Sequence, residues 1–385
     1  MSDATPPSSA GPLPRIIHVA SGREWRGGQN QVWLLARALQ ARPRPAIRQI
    51  VITGAGSELE RRLRAFDIPV RAPRWNAGVD PRAIWAALRE ARRGPAILHA
   101  HDSHAVTIAG VAALLTGRSF VATRRVDVHM RRLGFWKSAA AVIAVSSAVR
   151  DVVVSDGIPM DRVRVIHSGI ALEDAVKVVP ADLRSRLGLP ADATIAINVA
   201  ALVAHKDQLL ILEAGRRIAA RLPRLHWVIV GEGEMRQEIE ARAAAGGLAG
   251  RVHLLGYVND PLRQIAGADF LVLTSRKEGL GNALLEAMAL GVPVIAAEAG
   301  GMPEIVRGDS GIRIPPGDPD ALAEAMVRLA SDPEERRRYS ARGREEVRRF
   351  DHGTLAAQVA ELYRQVAGGR PPEARVDPEA APGVA

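Results

Sequence analysis

The sequence predicts two α/β domains, each a parallel sheet wrapped by helices. Three observations lead there. Short apolar runs alternate with longer amphipathic stretches through most of the chain, as β-α units do. The alternation lapses once, across polar and proline-containing sequence from about residue 168 to 193, and then restarts. The chain has 385 residues, enough for two domains of ordinary size with a core each.

In the first half the predicted strands are 16–20, 47–53, 96–99, 120–123, 142–145 and 163–166, with helices among them at 29–41, 81–92 and 146–155. The second half adds strands 195–200, 227–230, 252–255, 270–274 and 292–296. Its predicted helices are 206–221, 235–245, 282–290, 320–329 and 333–349, and a last helix covers 355–366. The organisation read from this is a flexible arm (1–14), a first Rossmann-like domain (15–175), a linker (176–193) and a second Rossmann-like domain (194–350). A C-terminal helical segment (351–367) and a disordered tail (368–385) complete it. In doubly wound sheets ligands bind at the carboxyl ends of the strands, so motifs at those ends matter most.

Composition narrows the class. Hydrophobic residues make up 47% and charged residues 24%, as in globular proteins. No apolar run is long enough to span a bilayer. The polar, proline-rich start has no basic segment leading into an apolar core, so it does not read as a secretion signal. The absence of cysteine excludes disulfides and thiolate metal sites and fits a cytoplasmic enzyme.

Charge is uneven. Residues 1–174 hold 25 Lys and Arg against 14 Asp and Glu, an excess of +11, while the remainder is at −1. A nucleic acid, an anionic membrane face and a phosphorylated acceptor are the partners this excess fits, beside a generic arginine-rich surface. Aromatic residues amount to 4%, too few to interleave with the basic ones, which argues against nucleic acid.

The richest segment is GLGNALLEAMALGVPVIAA, residues 279–297, whose one charge is Glu286. A lone carboxylate in a run built for burial is costly unless it has a purpose. Glu278 precedes the Gly279-Leu280-Gly281 turn, and the helix opens at Asn282. Two carboxylates therefore flank the free amides of a helix N-terminus. The amides attract a phosphate, whereas the glutamates would repel it and are better read as acceptors for hydroxyl hydrogens. A sugar nucleotide has this layout, with Glu286 reaching the ribose and Glu278 the sugar. The plainer reading is a solvated helix face and an ordinary turn.

Other motifs also fall at predicted strand ends. Gly27 and Gly28 form a turn after the first strand, where backbone can approach a ligand closely. His99, His101, Asp102 and His104 follow the strand at 96–99, and such a cluster also admits metal binding. Arg124 and Arg125 follow the next strand and offer a guanidinium to a phosphate or simply a solvated basic loop. Gly231 opens a Gly-Glu-Gly-Glu turn, and Tyr257 and Val258 end the strand at 252–255; both also read as simple turns. Asp318, ahead of Pro319 and Asp320, reads as a helix cap and not as a metal-diphosphate motif.

The stretch EGLGNALLE, continuing AMALGVPVIAAEAGGMPEIV, resembles the E-x7-E signature of family 4 retaining glycosyltransferases, and the likeness runs from about residue 15 to 366. It implies a GT-B fold, two Rossmann-like domains facing across a cleft. The implied activity is transfer of a sugar, with retention, from a nucleoside diphosphate donor to a hydroxyl acceptor, as in envelope polysaccharide or glycolipid synthesis. The family pattern implies that His101 touches the reacting sugar or acceptor and that Lys206 grips the diphosphate. Gly27 and Gly28 would face the phosphates, and Gly231, Tyr257 and Val258 would surround the base and its sugar. Leu280, Gly281 and Asn282 would supply the helix amides. The resemblance also implies no metal and no cofactor, a glycan or lipid-linked acceptor, and a last helix crossing back onto the first domain. Combined with the basic first half, it leads to the expectation of a cytoplasmic enzyme at the inner face of the membrane. One departure stands out: Ala201 occupies the place of the arginine in the family's G-R-L-x-x-x-K pattern, and Arg124 or Arg125 is the candidate substitute. The competing functions are a GT-B sugar-nucleotide epimerase and a non-catalytic binder of nucleotide sugars or anionic polymers.

Overall fold

The computed structural model describes residues 13–42, 47–75 and 78–369. Apart from residues 13–14 and 368–369, the expected arm and tail lie outside the described residues.

The first sheet is built by β1 (Arg15–Val19), β2 (Gln49–Ile52), β3 (Val70–Arg71), β4 (Ala96–Ala100), β5 (Phe120–Arg124), β6 (Ala141–Ala144) and β7 (Val163–Val165). Its order is β3-β2-β1-β4-β5-β6-β7, all parallel. The intervening helices are α1 (Gly27–Ala41), α2 (Glu58–Ala65), α3 (Pro81–Ala91), α4 (Ser103–Thr116) and α5 (Ser147–Ser155). The order reverses direction at β1 and β4, the switch point where doubly wound sheets open a binding crevice.

Two short helices, α6 (Leu172–Ala175) and α7 (Leu183–Arg186), interrupt the stretch read as a lapse. The second sheet then follows with β8 (Thr194–Val199), α8 (Gln208–Ile218), β9 (Leu225–Val230), α9 (Arg236–Ala245), β10 (Val252–Gly256), α10 (Leu262–Ala266) and β11 (Phe270–Leu273). It continues through α11 (Asn282–Leu290), β12 (Val294–Ala297), α12 (Met302–Ile305) and β13 (Ile312–Ile314), and ends with α13 (Pro319–Ser331) and α14 (Pro333–Glu346). Its order is β10-β9-β8-β11-β12-β13, again parallel.

Strands buried on both faces read as unbroken apolar runs, which is why they were visible in the sequence. FLVL of β11 and VIAA of β12 are buried at every residue. The three-residue β13 and two-residue β3 carry no such run and were not anticipated. The helix expected from residue 206 begins at Gln208, because a short 3-10 turn (Ala204–Lys206) ends at Asp207 in the left-handed region. Asp tolerates that conformation better than most residues. Asp318 caps α13 by accepting from the amides of Asp320 and Ala321, as its position implied.

The last helix, α15 (His352–Ala367), packs against the first sheet and α1. Leu355, Val359 and Tyr363 join Leu35, Leu39, Ile97 and Ile143 in one buried cluster. Ile170 also bridges to Asp351. The end of the chain is thus tied into the first sheet, and the two carboxyl-end edges meet across a cleft.

Candidate active site

The glycine turn at residues 279–281 lies between β11 and α11. Gly281 stands at the N-cap of α11 with φ +101°, and no side chain caps the helix. A helix with an uncapped N-terminus keeps its first amides and the positive end of its dipole available to an anion. Asn282 and Leu280 flank Gly281, and a Cβ on Gly27 would come within 3.2 Å of the side-chain Nδ2 of Asn282. The first-domain glycine turn at Gly27 and Gly28 therefore stands opposite this helix end.

Glu278 is mostly buried and its carboxylate is paired. Lys206 Nζ donates to Glu278 Oε2 at 2.5 Å, and Ser275 Oγ donates to the same oxygen at 3.2 Å. Lys206 is itself held from behind, since Thr274 Oγ1 donates to its carbonyl at 3.1 Å. The two residues expected to contact the diphosphate and the sugar separately thus contact each other here. Each keeps the other in place and its charge compensated.

Glu286 is different. It is partly exposed and has no hydrogen bond or ion pair among the described residues. Burial, with Asp260 adding to it, pushes its carboxyl up to about 7. The carboxylate is available to a ligand hydroxyl, and its ionisation falls within the physiological range.

The turn at Gly231 lies against the end of β8. Gly231 has φ +147°, and a Cβ there would lie 1.9 Å from the Ala200 carbonyl, so no other residue fits. Tyr257 and Val258 follow the end of β10. The expected contact was through backbone, but the Tyr257 side chain is half-exposed and its hydroxyl donates to the Trp25 carbonyl of the first domain at 2.8 Å. Tyr257 thus bridges the two rims.

The first-domain rim differs from what the sequence implied. Arg124 does not line the cleft: its guanidinium donates to the Val128 carbonyl and packs over Trp136, and the residue is buried. Arg125 is also engaged within the first domain. It turns inward and donates to the His101 carbonyl at 2.6 Å and towards His101 Nδ1 at 3.3 Å. Burial lowers it to about 10, still a cation at neutral pH. Both arginines are thus committed to partners within the first domain, and neither reaches Ala201.

His101 is likewise held from within the first domain. It was expected beside the reacting hydroxyls, yet it is 5% exposed and both ring nitrogens are engaged, one by Arg125 and the other by His18 at 2.9 Å. His18 was missed, because one histidine inside a β-strand carries no motif. His99 holds the Tyr363 hydroxyl at 2.6 Å and the Thr123 hydroxyl at 2.7 Å, and His104 is exposed. Ring nitrogens of His18, His99 and His101 lie within 4.8 Å of one another. A cation there would displace the hydrogen bonds just described and sit beside the Arg125 guanidinium, so the geometry is that of shared protons. Burial lowers His18 to about 4, and His99 and His101 well below the usual histidine range, which keeps all three neutral.

Sequence reasoning missed the contacts that join the rims. Ser146 Oγ donates to the Gly279 carbonyl at 2.6 Å, and the Glu278 amide donates to Asp127 Oδ2 at 2.9 Å. Glu304 accepts from the Ser147 amide and pairs with His167 Nε2, both at 2.7 Å. A Cβ on Gly279 would come within 1.9 Å of the Arg125 carbonyl, so the turn requires glycine there for close approach. Partners this far apart in the chain leave no local signal.

Two parallel sheets facing across a cleft, with an uncapped helix and paired acids at one rim, define a GT-B protein. Residues 25–174 match the family described as Glycosyltransferase Family 4, and residues 181–346 match Glycosyl transferases group 1. The chain belongs to the family 4 glycosyltransferases. It is 28% identical over 253 residues to the lipopolysaccharide core biosynthesis glycosyltransferase LpsE of Rhizobium meliloti, covering 64% of this chain and 69% of LpsE. It is 31% identical over 235 residues to the putative glycosyltransferase EpsD of Bacillus subtilis, covering 59% of this chain and 62% of EpsD. Among solved structures it is similar to Anabaena HepE crystallised with UDP-glucose, with a TM-score of 0.77 at 22% identity, over 91% of this chain and 99% of HepE.

Proposed function

We propose that this protein is a retaining glycosyltransferase that takes a sugar from a nucleoside diphosphate and passes it to a hydroxyl of a glycan or lipid-linked acceptor. The single observation that carries the reading is the uncapped start of α11 set between Glu278 and Glu286, with Lys206 beside it. The α11 amides and Lys206 hold the diphosphate. Glu286 accepts from the ribose hydroxyls and Glu278 from the sugar. Donor binding replaces the Lys206–Glu278 pair: the ammonium turns to phosphate and the carboxylate to a hydroxyl.

Transfer proceeds on one face of the sugar. The C1–O bond to the diphosphate breaks, and the acceptor oxygen bonds to C1 from the same side. The acceptor proton passes to the departing phosphate oxygen. Lys206 and the amides at Gly281 and Asn282 stabilise the charge that develops there, a pre-oriented electrostatic effect that often dominates catalysis. Charge compensation comes from these groups and not from a metal, so chelator should leave turnover unchanged.

The acceptor side is read from the basic first half. No helix among the described residues is long and apolar enough to cross a membrane. Trp85, Leu114 and Leu115 are well exposed on α3 and α4, and Arg89 stacks on Trp85. Such a surface suits peripheral association with an anionic bilayer. The likeness to LpsE, a lipopolysaccharide core glycosyltransferase, favours an envelope-type glycan.

The test is a thermal-shift screen over nucleoside diphosphates, followed by donor turnover with and without EDTA and vesicle co-sedimentation across a salt series. One diphosphate should raise the melting temperature in a concentration-dependent way. No shift with any base would defeat the donor site, and no sedimentation at low salt would leave a soluble acceptor.

A further inference from the structure

We infer that His18 is a positioning residue: with His101 it forms a one-way chain of hydrogen bonds that fixes Arg125, and through Arg125 the loop that seals the donor turn.

The direction of every bond follows from the chemistry of the groups. A guanidinium has donors only, so His101 Nδ1, 3.3 Å from Arg125, must accept. A neutral imidazole carries one proton, which therefore sits on His101 Nε2. That atom is 2.9 Å from His18 Nδ1, which must accept in turn. His18 then carries its proton on Nε2, on the side of Gln49. The Gln49 amide nitrogen is already committed to the Ala36 carbonyl at 2.7 Å, so its oxygen is the group left to receive that proton. His18 Nε2 and Gln49 Oε1 are both buried, and neither makes a hydrogen bond that meets full geometric criteria, so each is the only open group on its side. The guanidinium pins one end, and the donor-only chemistry of that end fixes the proton on His101 and then the one on His18.

Burial makes the chain exacting. His18 is fully buried in β1 and His101 is 5% exposed, so water does not substitute for a lost partner. An unpaired buried N–H costs far more than the net worth of the bond it lost. The other end of the chain reaches the cleft. The Arg125 carbonyl stands where any Cβ on Gly279 would collide with it, and Asp127, two residues on, holds the Glu278 amide at 2.9 Å. The height of this loop over the donor turn is therefore set from inside the first domain.

The activity readout rests on the donor-site reading above, but the proton assignment does not. The experiment compares His18→Phe, which removes the acceptor, with His18→Asn, whose Oδ1 takes the place of Nδ1. Each is assayed for donor turnover and thermal stability beside Glu278→Gln. In parallel, long-range 1H–15N spectra of 15N-histidine-labelled wild-type protein at pH 7 read the tautomers. The expected result is Nε2–H on both His18 and His101. His18→Phe should lower kcat about tenfold with donor KM changed less than about twofold, and His18→Asn should recover most of kcat. A charged or Nδ1–H His101 would overturn the inference, as would His18→Asn no better than His18→Phe. So would wild-type turnover in His18→Phe. If Glu278→Gln keeps full activity, the donor-site reading fails instead, and the spectra still decide the chain.

Discussion

The two rims of the cleft are built in opposite ways. The second-domain rim is nearly continuous: Ser275 to Glu286 runs from the loop after β11 through the glycine turn into α11, and Lys206 joins it from one neighbouring loop. The first-domain rim is assembled from distant pieces: His18 from β1, His101 from the end of β4, Arg125 and Asp127 from the loop after β5, and Ser146 from the end of β6. A rim made from one stretch is placed by local backbone geometry. A rim made from several is placed by sheet register and by bonds across the domain. In the function proposed above, the first holds the ligand and the second sets how the cleft closes on it.

Three changes would break or sharpen this contrast. The largest effect is expected at the continuous rim. Glu278→Gln or Lys206→Ala should reduce turnover by about 10²–10³-fold with the fold intact, because each removes a charge aimed at the reacting groups. Steady-state kinetics beside circular dichroism checks this, and near-wild-type turnover would show that the acidic pair is only structural.

Where the rims touch, Gly279→Ala should lower kcat by about tenfold or more, since the added methyl meets the Arg125 carbonyl at 1.9 Å. Small-angle scattering should then show a more open particle. An unchanged profile with unchanged kcat would mean that the closed contact does not govern turnover.

The smallest effect, and the most diagnostic, concerns pH. The Glu286 carboxyl stands near 4.5 in the unfolded chain and about 7 in the folded one. Between those values the folded state binds more protons, so stability contributed by this residue falls as pH rises from 5 to 8. Glu286→Gln should flatten that slope in the melting temperature. Donor affinity should run the other way, strengthening above pH 7 as the carboxylate forms. Parallel slopes in wild type and Glu286→Gln would show that Glu286 is solvated and uninvolved.

Much of the fold was legible because buried parallel strands leave unbroken apolar runs, as FLVL and VIAA do. The helix at Asn282–Leu290 was legible to the residue, its start marked by a glycine turn and its end by Gly291. What failed did so for a physical reason. Arg124 and Arg125 sit at a strand end, as the pattern requires, but the strand's register turns one towards Val128 and the other towards His101. Sequence order says where a side chain starts, not which neighbour it finds.

By itself, then, the sequence determined the two-sheet architecture and the acidic, glycine-rich donor rim, since periodicity and turn chemistry act over a few residues. Only the tertiary structure decided that Lys206 and Glu278 are partners, that His101 lies beneath the cleft, and that Asp127 and Ser146 clasp the opposite turn. These contacts join residues up to 151 positions apart, as between Asp127 and Glu278, and they exist only once both sheets have formed and met.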